Sequence, residues 1–60
     1  MPLYEFTALN ADYQESRSCV MPIPSEHEAR EVAVGLLREK IFHSIEVRKG
    51  NRLVCRVGKN

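Results

Sequence analysis

The chain has 60 residues and a formal net charge of +1, which arises from nine basic and eight acidic side chains. This length predicts a single domain, residues 1–60, and the near-neutral charge argues against a protein that binds polyanions through its overall charge. No apolar run reaches the length of a membrane span and no signal-peptide pattern is present, so we expect a soluble, cytoplasmic protein that makes no membrane contact.

An alternating pattern over residues 3–9 predicts the first strand. Aromatic and β-branched residues occur in it, as is typical of strands. Both faces of this strand carry apolar side chains. We expect Tyr4, Phe6 and Ala8 to form the face that lies under the helix.

A turn and a second strand follow. Residues 10–15 contain Asn and Asp, which favour turn geometry, and residues 16–23 indicate a strand. Pro22 lacks the backbone N–H that a central strand donates, so it indicates a sheet edge or the end of the pairing. Tyr13 in the turn has two interpretations, a side chain folded back over the hairpin edge or an exposed anchor for a partner.

The clearest element is a helix over residues 25–40. Ser25 and Glu28 have the spacing of a capping box, in which the serine hydroxyl accepts the backbone N–H of the glutamate. We interpret Gly35 as a point of close approach between the helix backbone and a strand, with a notch for a partner as the alternative. Apolar residues at helical spacing form one stripe, Ala29, Val32, Ala33, Leu36 and Leu37.

Two more strands are predicted after the helix, at residues 41–49 and 52–57, with a hairpin signal between them and a frayed tail beyond them. Strands on both sides of a single helix predict an α+β fold with the order β-β-α-β-β, in which one helix packs on one face of an antiparallel sheet. The order of the strands within the sheet stays open at this point.

The length of the second hairpin loop follows from which side chains would face the core. A two-residue loop at residues 50–51 would place Arg56 on the core face. A three-residue loop at residues 49–51 keeps it outside, with Asn51 in the left-handed conformation that such loops need. We therefore predict the three-residue loop. Its register pairs Val47 with Leu53, Ile45 with Cys55 and His43 with Val57.

That register brings four cations together as a basic patch. Arg48 and Arg52 would lie directly opposite each other on the open face, with Arg56 further along and Lys49 at the hairpin tip. The patch is either a solubilising surface, eased by Glu46, or a site for a phosphate backbone or an acidic protein surface. No aromatic pair for base stacking accompanies it, so sequence-specific readout of nucleic acid is not expected.

No constellation of residues predicts catalysis. We expect Cys19 and Cys55 to be free thiols, as is usual in the cytoplasm. Together with His27 and His43 they lack the spacing of a zinc site. A Cys55–His43 nucleophile pair would need an electropositive, accessible position. We therefore expect no enzyme activity, no catalytic residue, no metal site and no cofactor.

Two short motifs in the first half of the chain carry a resemblance to a known family. They are Tyr4, Phe6, Ala8 and Leu9, then Ser25, Glu28, Ala29 and Arg30. These motifs resemble the patterns Y-x-Y-x-A-L-D-A and A-x-S-x-x-E-A-R at the start of the inner-membrane platform protein of type II secretion and type IV pilus systems. This chain departs from that family at the glycine of the first hairpin and has none of its membrane helices.

The second half resembles two other groups of small proteins. Ile45-Glu46-Val47 and Arg52-Leu53-Val54 match the I-E-V-x-x-x-x-G-R-L-V ending of a family of short bacterial proteins of unknown function. Residues 28–59 are similar in pattern to small phage anti-CRISPR proteins that have one helix on an antiparallel sheet. The resemblance to anti-CRISPR proteins implies an inhibitor of a nucleic-acid-handling defence complex.

We predict a small non-enzymatic interaction protein that covers a surface of a larger protein or ribonucleoprotein complex, most specifically an anti-CRISPR-like inhibitor from a phage or mobile element. One alternative is a non-sequence-specific nucleic-acid-binding protein that uses the basic face. Another is a homodimeric accessory protein that pairs through an edge strand. The predicted partner-binding residues are Arg48, Lys49, Arg52, Arg56 and Tyr13.

Overall fold

A computed structural model describes residues 1–39 and 42–58, and it shows a four-stranded antiparallel sheet with one helix packed against it. This arrangement confirms the predicted α+β fold with the order β-β-α-β-β. We name the face of the sheet that carries the helix the helix side, and the opposite face the open face. The elements in chain order are β1 (Leu3–Leu9), β2 (Glu15–Pro22), α1 (Glu26–Glu39), β3 (Ser44–Lys49) and β4 (Arg52–Gly58).

The strand order in the sheet is β2-β1-β3-β4. β2 and β3 run in the same direction because each is antiparallel to β1, which lies between them. α1 is therefore the crossover of a split β-α-β unit. The two central strands, β1 and β3, are largely buried on both faces, whereas no residue of the edge strand β2 is buried.

The helix begins where its cap predicts. The backbone N–H of Glu28 donates to Ser25 Oγ at 3.2 Å, and the predicted helix end at Lys40 lies outside the described residues. α1 packs chiefly over β3 and β4. Close packing there is possible because the residues nearest the sheet are small. Three members of the predicted stripe are buried, Ala29, Ala33 and Leu37, and two are half-buried, Val32 and Leu36.

The core lies between α1 and the helix side of the sheet. Tyr4, Phe6 and Ala8 are buried there, as predicted, with Ile45 and Val47 beside them. β3 begins at Ser44 rather than at residue 41. Residue 41 and residues 59–60 of the predicted frayed tail lie outside the described residues. The prediction that the tail frays from Gly58 is wrong at that residue, because Gly58 ends β4 and pairs with Ser44.

The hairpin between β3 and β4 differs from the prediction. Lys49 pairs with Arg52, so the loop is the two-residue Gly50-Asn51 and not a three-residue loop. Gly50 has a φ of 63° and Asn51 is not left-handed, which is the sign pattern of a type II′ turn. The predicted left-handed conformation of Asn51 is therefore wrong, because the glycine takes that conformation instead.

A β-bulge reconciles this tight turn with a buried apolar face. Arg48 pairs with Leu53 while Val47 pairs with Cys55, so Val54 is the extra residue. The predicted pairings, Val47 with Leu53 and Arg48 with Arg52 among them, are wrong. They assumed an uninterrupted ladder, in which a two-residue turn would have turned the Arg56 side chain inward.

Gly35 does not mark a close approach of the helix to a strand. The residue is exposed, and no atom of another element lies within 4 Å of the position that a Cβ would take. The interpretation as a close contact is therefore wrong. The near approach occurs two and six residues earlier, at the buried residues Ala33 and Ala29.

The two glycines predict opposite responses to the same substitution. Gly35→Ala should raise the free energy of unfolding by about 1 kcal/mol, because alanine favours the helix interior and open space surrounds the site. Gly50→Ala should lower it by about 1 kcal/mol, because a side chain at positive φ is strained. Urea unfolding followed by circular dichroism measures both, and a shift of the same sign in the two variants would contradict the described backbone.

Candidate functional site

The four cations of the predicted basic patch lie on two different faces. Arg48 and Arg56 are on the open face, where both contact Glu46. Lys49 and Arg52 close the turn and point to the helix side. The bulge in β4 causes this division. It shifts the pairing by one residue, so Arg52 before the bulge and Arg56 after it lie on opposite faces of the sheet.

Glu46 holds the two arginines of the open face. Arg56 donates from Nε to Glu46 Oε2 at 3.0 Å and also donates from Nη2 to the same oxygen, while Arg48 Nη2 lies 3.5 Å from Oε1. The hydrogen bond from Arg56 lowers the pKa of the Glu46 carboxyl. Glu5 is the residue directly opposite Arg48 on β1. Each of these arginines therefore lies near a carboxylate rather than facing solvent as a free cation.

The cations on the helix side join the second hairpin to the start of α1. Arg52 Nη2 donates to Glu26 Oε1 at 2.7 Å. This hydrogen bond lowers the pKa of Glu26 and raises the pKa of the Arg52 guanidinium. Lys49 Nζ lies 5.9 Å from the centroid of the Tyr4 ring, a cation–π distance. These contacts give the two side chains structural partners within the chain.

β2 is the least covered element. Seven of its residues are exposed and the eighth, Met21, is half-buried. α1 lies over β3 and β4 and does not extend over β2, so neither face of β2 is covered by another element. This is unusual, because a strand in an antiparallel sheet normally packs at least one face on the core.

The backbone of β2 also offers unpaired polar groups. The N–H of Ile23 donates to the C=O of Pro2 at 3.0 Å, and the direction of these groups alternates along a strand. The N–H and C=O groups of Ser18 and Val20 therefore point away from β1, to solvent. The backbone groups of Pro22 also point away from β1. Its missing N–H therefore removes no hydrogen bond between β2 and β1, as predicted for an edge strand.

An apolar groove of about 220 Å³ lies on the helix side next to β2. The groove exists because α1 packs over β3 and β4 and leaves the β1–β2 half of the helix side uncovered. Arg17, which lines the groove, is exposed and takes part in none of the ion pairs found among residues 1–39 and 42–58. The principal lining residues are Phe6, Ala8, Leu36, Phe42 and Ile45, with Arg17 and Cys19 on the β2 side.

Tyr13 lies at the same end of the sheet as the groove. Its ring is edge-to-face with the His43 ring at a centroid distance of 5.1 Å, and its Oη is 3.3 Å from His43 Nε2. It is nevertheless 62% exposed. Its φ of 61° is accommodated in a loop where the side-chain oxygen of Asn10 accepts two backbone N–H groups. Tyr13 is therefore separate from the arginines with which it was grouped in the prediction.

The remaining reactive side chains are far apart. Cys19 and Cys55 are free thiols, as predicted, and β1 and β3 lie between their strands. Cys55 pairs with Val47, about 13 Å along β3 from His43 at the usual rise per residue. The structure thus does not bring the Cys55–His43 pair together. In the described ranges there is no group of three potential metal ligands, and no helix has the length and apolarity to cross a membrane.

The sequence indicated a possible sheet edge at Pro22, but it did not identify the groove or single out the backbone of β2 as a binding site. The groove depends on the strand order, for which the chain carries no local signal. The edge had two weak signals, Pro22 and the polar residues at positions 16–18, which leave both faces of the strand without an apolar pattern. A strand that alternates poorly is a candidate edge strand, and this is the signal that could have located the site.

Comparisons with protein-family models, with curated proteins and with solved structures give no significant match. The resemblances drawn from the sequence therefore stay predictions.

Substitution of Glu46 should change both the stability and its dependence on pH. Glu46→Gln should lower the free energy of unfolding at pH 7 by about 1 kcal/mol, because a buried carboxylate loses two arginine partners. The pKa of Glu46 is lowered in the folded state. Its stabilising effect is therefore present above the unfolded value of about 4.3 and disappears as the pH falls through the lower folded value.

Urea unfolding from pH 7 to pH 3 measures this effect, with Glu39→Gln as the control because Glu39 is exposed at the helix end. The stability difference between wild type and Glu46→Gln should shrink with acidification. A difference that stays constant over the whole range would show that the carboxylate charge does not stabilise the fold.

Proposed function

We propose that this protein is a non-enzymatic binding module that attaches to a protein partner by accepting a strand of that partner along β2. The observation that supports this most directly is a strand with no buried residue beside an apolar groove. In recognition by strand addition, main-chain hydrogen bonds give affinity and pockets for alternate side chains give specificity. The backbone groups of Ser18 and Val20 would form the main-chain hydrogen bonds, and the groove would be the pocket for side chains.

Direct binding of nucleic acid through the predicted basic patch has less support. Affinity for a phosphate backbone comes from cations that are free to replace its counterions. Arg48 and Arg56 already contact Glu46, and Arg52 contacts Glu26. Phosphate groups would have to compete with these carboxylates, so nucleic-acid binding is kept as an alternative outcome of the experiment.

The more specific hypothesis concerns the identity of the partner. An anti-CRISPR-like inhibitor of a nucleic-acid-handling defence complex would act by covering a protein surface, and a module with an accessible strand edge is suited to that role. This hypothesis derives from the resemblance of the sequence, and it stays a prediction.

A comparative pull-down from bacterial lysate, with and without nuclease treatment, tests the proposed function. Ser18→Pro removes an outward N–H of β2, and Cys19→Asp places a charge beside the groove. Leu53→Asp is the matched control, because Leu53 is exposed on the open face at the opposite edge. Proteins captured by wild type and by Leu53→Asp should be lost with the two β2 variants, while circular dichroism shows the fold unchanged.

Two results would contradict the proposal. Captured proteins that remain with Ser18→Pro and Cys19→Asp would show that β2 is not the docking site. Loss of every captured protein after nuclease treatment would favour the nucleic-acid alternative, and steep salt dependence of binding to a labelled duplex would then be expected.

A further inference from the structure

We propose that the docking strand is an extended segment of another protein with the pattern apolar-x-apolar-x-acidic, bound antiparallel to β2. This inference rests on the proposed function, because it names the chemistry of the partner for the same edge. Three features of β2 support this pattern: the direction of its backbone groups, the side chains on its helix side and the charge of Arg17.

The backbone fixes which residues of the docking strand face the groove. Arg17, Cys19 and Met21 lie on the helix side of β2, because they pair with the helix-side residues of β1. The free N–H and C=O groups belong to Ser18 and Val20, so partner residues opposite these two would form the hydrogen-bonded pairs. Residues opposite the other three would occupy non-hydrogen-bonded positions, where facing Cα atoms are about 4.5 Å apart and side chains are closest.

Two of these three positions select apolar side chains. Cys19 is small and lines the groove, so a long apolar side chain opposite it can lean over the thiol toward Phe6 and Leu36. Met21 is half-buried and packs against the core beside Tyr4, so an apolar side chain opposite it would extend the same surface. Burial of these groups would supply the hydrophobic part of the affinity.

Arg17 selects an acidic side chain at the third position. It is exposed, lines the groove and has no ion-pair partner in the described part of the chain. A carboxylate directly opposite can accept two parallel hydrogen bonds from its guanidinium. Antiparallel pairing continues the ladder of this sheet and is the more stable kind. The partner therefore begins opposite Met21 and ends opposite Arg17, which sets the order apolar, apolar, acidic.

A second copy of this chain does not match these requirements. The acid of β2, Glu15, pairs with Leu9 and lies on the open face. The β4 edge carries Arg52 and Arg56, no acid and a bulge. Either edge of a second copy would therefore leave Arg17 opposite a neutral or basic side chain, so charge complementarity favours a different protein.

Three labelled peptides test this inference by fluorescence anisotropy. The first has seven residues, with valine, leucine and glutamate at its second, fourth and sixth positions and threonine elsewhere. The second has lysine in place of the glutamate. The third has the amino-acid sequence of the first in reverse order. The first peptide should bind about tenfold more tightly than the other two, because neither of them places a carboxylate opposite Arg17 and a hydrogen bond to a charged group contributes about that factor. Arg17→Glu should reverse the preference between glutamate and lysine. Arg30→Glu is the control, because Arg30 is an exposed arginine of α1 on the β4 side.

The outcomes separate this inference from the proposed function. Equal affinity for the first two peptides, with both lost in Ser18→Pro, would overturn the acidic pattern and leave strand addition at β2 intact. A dimer in sedimentation analysis that Ser18→Pro abolishes would overturn it in favour of a second copy. Absence of peptide binding together with no β2-dependent capture from lysate would overturn both.

Discussion

One helix cannot cover a four-stranded sheet, and the surface properties of this protein follow from that limit. An α-helix with its side chains is about 10 Å wide, while neighbouring strands are about 4.8 Å apart, so a helix shields about two strands. α1 lies over β3 and β4, where Ala29 and Ala33 allow close packing. β1 stays buried between its neighbours, and β2 is held in the fold by its hydrogen bonds to β1 and by one half-buried side chain, Met21.

Whether a basic side chain is free to bind an anion depends on its partners within the fold, and not on how many basic side chains the chain has. Nine basic side chains in 60 residues suggest a surface for an anion. Glu46 and Glu26, however, bind three of the four cations of the predicted patch, and these pairs bind strands to each other and to the helix. Arg17, which no sequence feature distinguishes from the other arginines, is the one that lines the groove without a carboxylate in the described residues.

Much of the fold is predictable from local signals, and the site is not. Alternation at Tyr4, Phe6 and Ala8 and the cap at Ser25 predict the elements and their buried faces correctly. The β3–β4 register fails at one residue, Val54, because a bulge leaves the apolar pattern unchanged while it shifts the turn. The groove depends on the strand order, which is decided by long-range pairing of β1 with β3. Of the five predicted partner-binding residues, Tyr13 lies at the same end of the sheet as the groove, whereas none of the four cations lines it.

The exposure of β2 separates the residues that hold the fold from those that would recognise a partner. The buried side chains belong to β1, β3, β4, α1 and the segment between β2 and α1. Apart from Met21, which is half-buried, the residues of β2 are exposed, and surface changes usually cost within about 0.5 kcal/mol. New specificities could therefore arise by changing this one strand while the scaffold stays constant, which makes the protein suited to rapid divergence and to the engineering of binders by randomising a single short segment.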